Sequence, residues 1–133
     1  MGYTRYWVRT DKPITEDFVE EVKEIIKDCA KKGIAIRGRY GEGSPIINTE
    51  EITFNGNFRA EKDLSHEPFS ILNIETGFDF FDFCKTNRKP YDYAVRRVLK
   101  LAKDYGLVTN VSSDGKNNKI YSDEEYISDL VEW

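Results

Sequence analysis

The sequence predicts an α+β fold, in which a mixed or largely antiparallel sheet of about five strands forms a two-layer sandwich. Two main helices cover one face of this sheet, and a short helix follows at the C-terminus. Two stretches with helical spacing of apolar residues, several alternating segments, and three consecutive strands between the helices support this prediction. With 133 residues, of which 39% are hydrophobic, the chain is expected to form a single α+β domain over residues 1–133.

Residues 3–10 are predicted to form the first strand, because they are rich in aromatic and β-branched residues and are followed by Asp11-Lys12-Pro13. Alternation places Trp7 on the same face as Arg5 and Arg9. Since arginines usually remain in water, we expect the opposite face, with Tyr6 and Val8, to point inward.

The first helix is the clearest element in the sequence. Thr15 is a suitable N-cap, and Glu16 and Asp17 complement the helix dipole. Gly33 is suited to end the helix with a positive φ. One apolar stripe recurs at spacings of three and four residues, with Phe18, Val22, Ile25, Ile26 and Cys29.

The middle of the chain alternates between strands and polar loops. Three strands are predicted, over residues 34–40, over residues 46–47 continued by 51–55, and over residues 69–75. An Asn-Gly turn at Asn55-Gly56 and a polar loop at 57–67 separate the last two. From Gly77 to Cys84 we expect a short, irregular aromatic stretch.

The second helix is predicted to begin with Pro90 at its first position and to end at Gly106. Residues 107–112 form a further predicted strand, followed by a turn at Asp114-Gly115. The segment 122–125 has the Ser-Asp-Glu-Glu pattern of a capping box, which predicts a short C-terminal helix. The expected order is therefore β-α-β-β-β-α-β-α.

Composition and charge exclude several classes of protein. The net charge of −4 makes a non-specific nucleic-acid-binding protein unlikely. Because the sequence has no long apolar run, we expect neither a signal peptide nor a membrane span. Cys29 and Cys84 form no disulfide framework, so we expect a soluble cytoplasmic protein. One histidine and two distant cysteines fit no metal spacing, so neither a metal nor a cofactor is expected.

The segment from Cys84 to Tyr91 is the best candidate for a ligand site. It enters a predicted helix, whose first amides carry partial positive charge, and it contains three cations and a hydroxyl. Such groups can hold a phosphate, a carboxylate or a nucleotide. The alternative is an ordinary basic helix entrance in solvent. The predicted ligand-binding residues are Lys85, Thr86, Arg88, Lys89 and Tyr91, with Tyr6 or Trp7 available for stacking.

Catalytic candidates are few, and the sequence does not decide whether the protein is an enzyme. His66 is the single histidine and can serve as a general base, although a surface loop histidine fits the pattern as well. Cys84 can serve as a nucleophile if the neighbouring cations lower its pKa, whereas its flanking phenylalanines favour a small core residue.

Several blocks of the sequence resemble a set of small uncharacterised proteins from phages, prophages and bacteria. The first block is Gly2-Tyr3-Thr4-Arg5-Tyr6-Trp7, which matches their opening Gly-Tyr-Thr-x-Tyr-Trp. The longest block runs from Phe83 to Asp92 with the pattern Phe-Cys-Lys-Thr-x-Arg-Lys-Pro-Tyr-Asp. Shorter blocks lie at 52–56 and 66–69. The resemblance implies a phage- or prophage-type accessory protein and draws attention to His66, Cys84 and the basic residues after it.

Three hypotheses follow from the sequence. The first is a small soluble module that binds a phosphorylated or nucleotide-like anion at the helix entrance 84–91. The second is a hydrolase that acts on a phosphoester or acyl bond with His66 as its base. The third is a phage factor that binds a host protein, with the acidic C-terminal tail and the basic second helix as its contact surfaces.

Overall fold

The computed structural model describes residues 4–73 and 79–113, and the α+β class predicted from the sequence is confirmed. Two helices and six strands follow one another along the described chain. In order they are β1 (Thr4–Arg9), α1 (Glu16–Lys31), β2 (Ile46–Ile47), β3 (Glu51–Phe54), β4 (Phe69–Leu72), β5 (Phe80–Lys85), α2 (Asp92–Asp104) and β6 (Val108–Ser113). The predicted C-terminal helix lies outside the described residues.

The described strands form two three-stranded antiparallel sheets instead of the single sheet of about five strands that the sequence suggested. One sheet has the order β5-β1-β6, and the other has the order β2-β3-β4. Aromatic rings join them, because Trp7 of β1 packs on Phe69 of β4 with ring centroids 5.3 Å apart, and Phe69 packs on Phe54 at 5.1 Å. Buried residues of both sheets and both helices form one hydrophobic cluster.

The prediction of which face of β1 is buried was wrong. Arg5, Trp7 and Arg9 are all buried, whereas Tyr6 and Val8 are only partly covered. The Arg9 guanidinium donates to the carbonyl oxygens of Thr10 at 2.7 Å and of Leu107 and Leu72 at 3.1 Å. An arginine can therefore accompany a tryptophan into the interior, because distant parts of the chain supply its acceptors.

Three other segments differ from their predicted structure. The single strand predicted over 46–47 and 51–55 is instead two antiparallel strands, β2 and β3, which pair with each other. Residues 34–40 form only an isolated bridge between Arg37 and Asn55, because the chain curls at Gly38, whose amide faces the carbonyl oxygens of Glu42 and Gly43. The expected irregular stretch before Cys84 is instead strand β5, paired with β1.

Both predicted helices are present. Thr15 caps α1 by accepting from the Phe18 amide at 3.3 Å, and Gly33 follows the helix with a φ of 81°. Helix α2 begins at Asp92, two residues after Pro90, with Tyr91 at the N-cap. The helices contact each other through Arg97, whose guanidinium donates a hydrogen bond to the Asp28 carboxylate at 2.5 Å. Neither helix, within the described residues, is long and apolar enough to cross a membrane.

Candidate functional site

The chain passes from β5 to α2 through a tight turn with an uncommon backbone conformation. The Lys89 amide donates to the Thr86 carbonyl at 3.1 Å, and the two central residues, Asn87 and Arg88, have φ of 53° and 58°. Positive φ at both central residues is typical of a type I′ turn, in which the second position favours glycine. Arginine at this position is strained, because its Cβ crowds the backbone.

A buried ion pair anchors the turn to the first strand. The Arg5 guanidinium donates two hydrogen bonds to the carboxylate of Asp92, at 3.1 and 2.9 Å. The Thr86 hydroxyl donates to the same carboxylate at 2.7 Å. Because Arg5, Thr86 and Asp92 are all buried, this network fixes the start of α2 against β1.

The loop over residues 63–68 packs against the same segment. The Lys89 ammonium donates to the Asp63 carbonyl at 3.0 Å, and the Tyr91 hydroxyl donates to the Glu67 carbonyl at 2.5 Å. Glu67 also exchanges hydrogen bonds with the Lys85 backbone, at 3.2 and 2.7 Å. The fold therefore brings the loop that contains His66 to the basic segment, a proximity that the sequence left open.

Asn55 fixes the position of His66 in this loop. Its side-chain amide donates to the His66 carbonyl at 2.9 Å, and its oxygen accepts from the His66 amide at 3.0 Å. The neighbouring Gly56 must be a glycine, because a Cβ there would clash with the Leu64 carbonyl. The His66 side chain is exposed, although its backbone is held on both sides.

Charges of both signs surround His66. Hydrogen bonds from Ser65 hold the pKa of the Asp63 carboxyl below its usual value, and the charges of Lys89 and His66 lower it further. Asp63 and Glu67 thus place two carboxylates beside the cations, and the local charge of the segment is only weakly positive.

Cys84 does not have the electrostatic environment expected of a nucleophile. Burial raises the pKa of its thiol, and the nearby Glu67 and Asp92 carboxylates raise it further. The expectation that neighbouring cations would lower this pKa was wrong, because burial and the nearby carboxylates raise it instead. The thiol lies 3.5 Å from the Glu67 carbonyl oxygen in the packed interior.

The predicted ligand-binding residues fall into two groups. Thr86, Lys89, Tyr91 and Trp7 are buried, and they are held by Asp92, Asp63, Glu67 and Phe69 respectively. Trp7 in particular is 1% exposed and presents no ring face to solvent. Lys85 is exposed, and Arg88 and Tyr6 are partly exposed. Of the predicted ligand-binding residues, only these three have side chains placed to contact a ligand at the surface.

The amides at the start of α2 are also largely occupied. The Asp92 amide donates to the Lys89 carbonyl at 2.9 Å, and the Tyr93 amide donates to the Pro90 carbonyl at 3.1 Å. The partial positive charge that the sequence suggested for this helix entrance is therefore directed into the turn. Charged side chains, more than free amides, must attract an anion here.

The outer face of β5 carries residues that the sequence interpretation missed. Phe81 and Phe83 are 62% and 50% exposed, and Phe81 stacks on Tyr6 with ring centroids 6.0 Å apart. The signal was present in the sequence, since Phe81, Phe83 and Lys85 alternate with Phe80, Asp82 and Cys84. It was overlooked because this stretch was not assigned to a strand.

A concave surface lies between the helices. A groove of about 500 Å³ is lined by Glu21 and Glu24 of α1 and by Arg96, Arg97 and Lys100 of α2. The basic surface of α2 therefore faces the acidic surface of α1. Residues 4–73 and 79–113 contain no group of three or more histidine, cysteine or acidic side chains that could hold a metal ion.

No protein-family model, curated protein or solved structure matches this chain.

The strain at Arg88 can be measured with a pair of substitutions. Arg88→Gly should be about 1 kcal/mol more stable than Arg88→Ala, because both remove the same guanidinium contacts and only glycine tolerates the positive φ. The urea midpoints of the two variants report this difference. Lys100→Gly and Lys100→Ala are the control pair within helix α2, where the order should be reversed. Equal stability of the two Arg88 variants would contradict a left-handed Arg88.

Proposed function

We propose that the protein is a small, soluble, cytoplasmic binding module of phage or prophage type, which holds a phosphorylated or nucleotide-like anion at the turn before α2. Lys85 and Arg88 supply the positive charge, and Tyr6 lies on the same side of the sheet as Lys85. Thr86, Lys89 and Tyr91 hold the turn in place from within. The module performs no reaction of its own in this proposal.

The observation that carries the proposal is the conformation of Arg88. A bulky residue in the left-handed region costs of order 1–3 kcal/mol and persists only where the surrounding structure imposes it, often at ligand sites. Here the buried contact of Thr86 with Asp92 and the partly buried contact of Lys89 with the Asp63 carbonyl impose it. The strained turn positions the Arg88 guanidinium three residues along the chain from the exposed Lys85. A guanidinium is suited to bidentate recognition of phosphate.

The local charges predict the character of the binding. Since Asp63 and Glu67 lie beside the cations, the net electrostatic attraction for an anion is weak. Salt will screen this attraction where the charged groups are exposed to solvent. Binding should therefore be strongest at low ionic strength and should weaken as salt is added.

A thermal-shift experiment tests the proposal with inorganic phosphate, pyrophosphate and ATP at low salt. A ligand at a hundred times its dissociation constant adds roughly 2.7 kcal/mol, which raises Tm by several degrees in a domain of this size. Lys85→Gln and Arg88→Gln should each remove most of the rise.

Lys27→Gln and Arg59→Gln are matched controls, because both side chains are exposed and form surface ion pairs on other parts of the molecule. These variants should keep the full ligand-induced rise. No rise with any of the three anions, or an equal loss in the Arg59 and Arg88 variants, would refute the anion site. A protein partner would then be the better candidate, tested by pull-down from a host lysate.

A further inference from the structure

Three aromatic side chains share the outer face of the β5-β1-β6 sheet. Tyr6 of β1 lies opposite Phe83 of β5, and Val8 lies opposite Phe81. The ring of Phe81 is 6.0 Å from Tyr6 and 6.3 Å from Phe83, measured between centroids. We call Tyr6, Phe81 and Phe83 the aromatic face. With Phe81 and Phe83 at least half exposed, the face leaves a row of rings in water.

The aromatic face continues into the proposed anion site. Alternation along β5 places Lys85 on the same side as Phe81 and Phe83, and the turn with Arg88 follows directly. On the other side of β1, the residues opposite Tyr6 and Val8 are Ser112 and Thr109, which are polar and exposed. The sheet thus presents rings, hydroxyl groups and, at one end, cations.

We propose that the aromatic face binds single-stranded nucleic acid, whose bases stack on Tyr6, Phe81 and Phe83 while two of its phosphates contact Lys85 and Arg88. The inference rests on the proposed anion site and names its ligand. Aromatic rings on an open sheet, together with cations along the backbone path, are the usual means of binding single strands without strict sequence preference.

The shape of the face favours an oligonucleotide over a free nucleotide. Sites for small molecules are concave and bury most of the ligand, whereas this face is an open sheet surface on which a single base would contact one ring from one side. Linked nucleotides can place successive bases on successive rings, and the linkage makes each later contact intramolecular. The cations at the end of the row favour a polyanion over an apolar protein segment.

The number of phosphate contacts, and not the net charge of −4, sets the salt dependence of this binding. The sequence predicted that nucleic acid is an unlikely partner, on the ground that an acidic protein repels the phosphate backbone. A strand held by stacking needs few ionic contacts. With phosphates at Lys85 and Arg88 alone, the slope of log K against log salt should be about −1.4, from about −0.7 for each contact to a single strand.

Fluorescence anisotropy of a labelled oligothymidylate of about ten nucleotides tests the proposal at low salt. Phe81→Ala and Phe83→Ala should each weaken binding about tenfold or more. Both rings are exposed, so these variants should fold normally, as thermal unfolding can verify. Tyr40→Ala is the matched control, because Tyr40 is an aromatic residue 81% exposed outside the aromatic face, and its loss should leave binding unchanged.

Phe83→Trp and Phe83→Leu separate stacking from general apolar contact. Tryptophan should retain or strengthen oligonucleotide binding, whereas leucine should weaken it nearly as much as alanine does. Equal binding by the two variants would overturn the proposal, since an apolar surface for a protein partner tolerates leucine. Wild-type affinity in both alanine variants would also overturn it, because charge alone would then explain the binding.

The controls separate this inference from the proposed function. If inorganic phosphate raises Tm and the oligonucleotide does not bind, the anion site stands and the nucleic-acid proposal is refuted. If thymidine monophosphate binds with the same dissociation constant as the oligonucleotide, the site accommodates a single base and the proposal is overturned. If neither phosphate nor the oligonucleotide binds, both proposals fall.

Discussion

Replacing Asp92 with asparagine should lower the free energy of unfolding by about 3–5 kcal/mol, because it leaves the Arg5 charge buried without its counter-ion. The carboxylate accepts two hydrogen bonds from Arg5 and one from Thr86, and its side chain is fully buried. Urea unfolding monitored by circular dichroism measures the loss, provided that the slope against urea stays the same.

A double substitution distinguishes the pair from the packing around it. Arg5→Met with Asp92→Leu removes both charges, and it should be much less destabilising than Asp92→Asn alone, since apolar replacements of a buried ion pair are often neutral. Glu42→Gln, which breaks the surface pair with Arg59, should change stability by about 0.5 kcal/mol or less. A loss below about 1 kcal/mol for Asp92→Asn would show that the pair is not buried in solution.

Trp7→Ala should destabilise the protein by about 3–5 kcal/mol, the usual cost of removing a large aromatic side chain from a core. Trp7 is 1% exposed, and through Phe69 and Phe54 it joins the two sheets. The loss of the indole therefore removes the packing between the sheets as well as the buried area. The urea midpoint and the unfolding slope measure the effect.

Trp7→Phe keeps a ring in the core and should be markedly less destabilising than Trp7→Ala. Phe58→Ala is the control for loss of an aromatic side chain at the surface, since Phe58 is half exposed. Ligand binding to Trp7→Phe should equal that of the wild type, because only Tyr6 of the two β1 rings lies on the outer face. Reduced ligand binding in a stably folded Trp7→Phe variant would instead support a direct stacking role for Trp7.

The residues of the segment 84–91 that were predicted to bind a ligand have two different roles in the structure. Thr86, Lys89 and Tyr91 direct their polar atoms to Asp92, Asp63 and Glu67, and these contacts hold the turn. Lys85 and Arg88 are left at the surface of the same turn. A rigid turn that carries partly exposed cations is a reasonable arrangement for a binding site, because an ordered site loses little entropy when the ligand binds.

The sequence alone determined both main helices, the Thr15 and Gly33 boundaries of α1, and most of the strands. These features depend on apolar periodicity, caps and glycine, which act within one or two helical turns or strand repeats. The candidate segment was also found from the sequence, because it concentrates cations and a hydroxyl at a helix entrance. The exposed Lys85 and the proximity of the His66 loop show that its neighbourhood is polar and partly open.

Only the tertiary structure decided which side chains face inward. Arg5 lies in the interior because Asp92, 87 residues further along the chain, supplies its counter-ion, and no local pattern contains that information. Strand β5 exists because β1 supplies its hydrogen-bond partners, and its outward rings follow from that pairing. Helices satisfy their backbone hydrogen bonds locally and strands satisfy them with distant segments. The local sequence could therefore specify α1, whereas the aromatic face depended on the completed sheet.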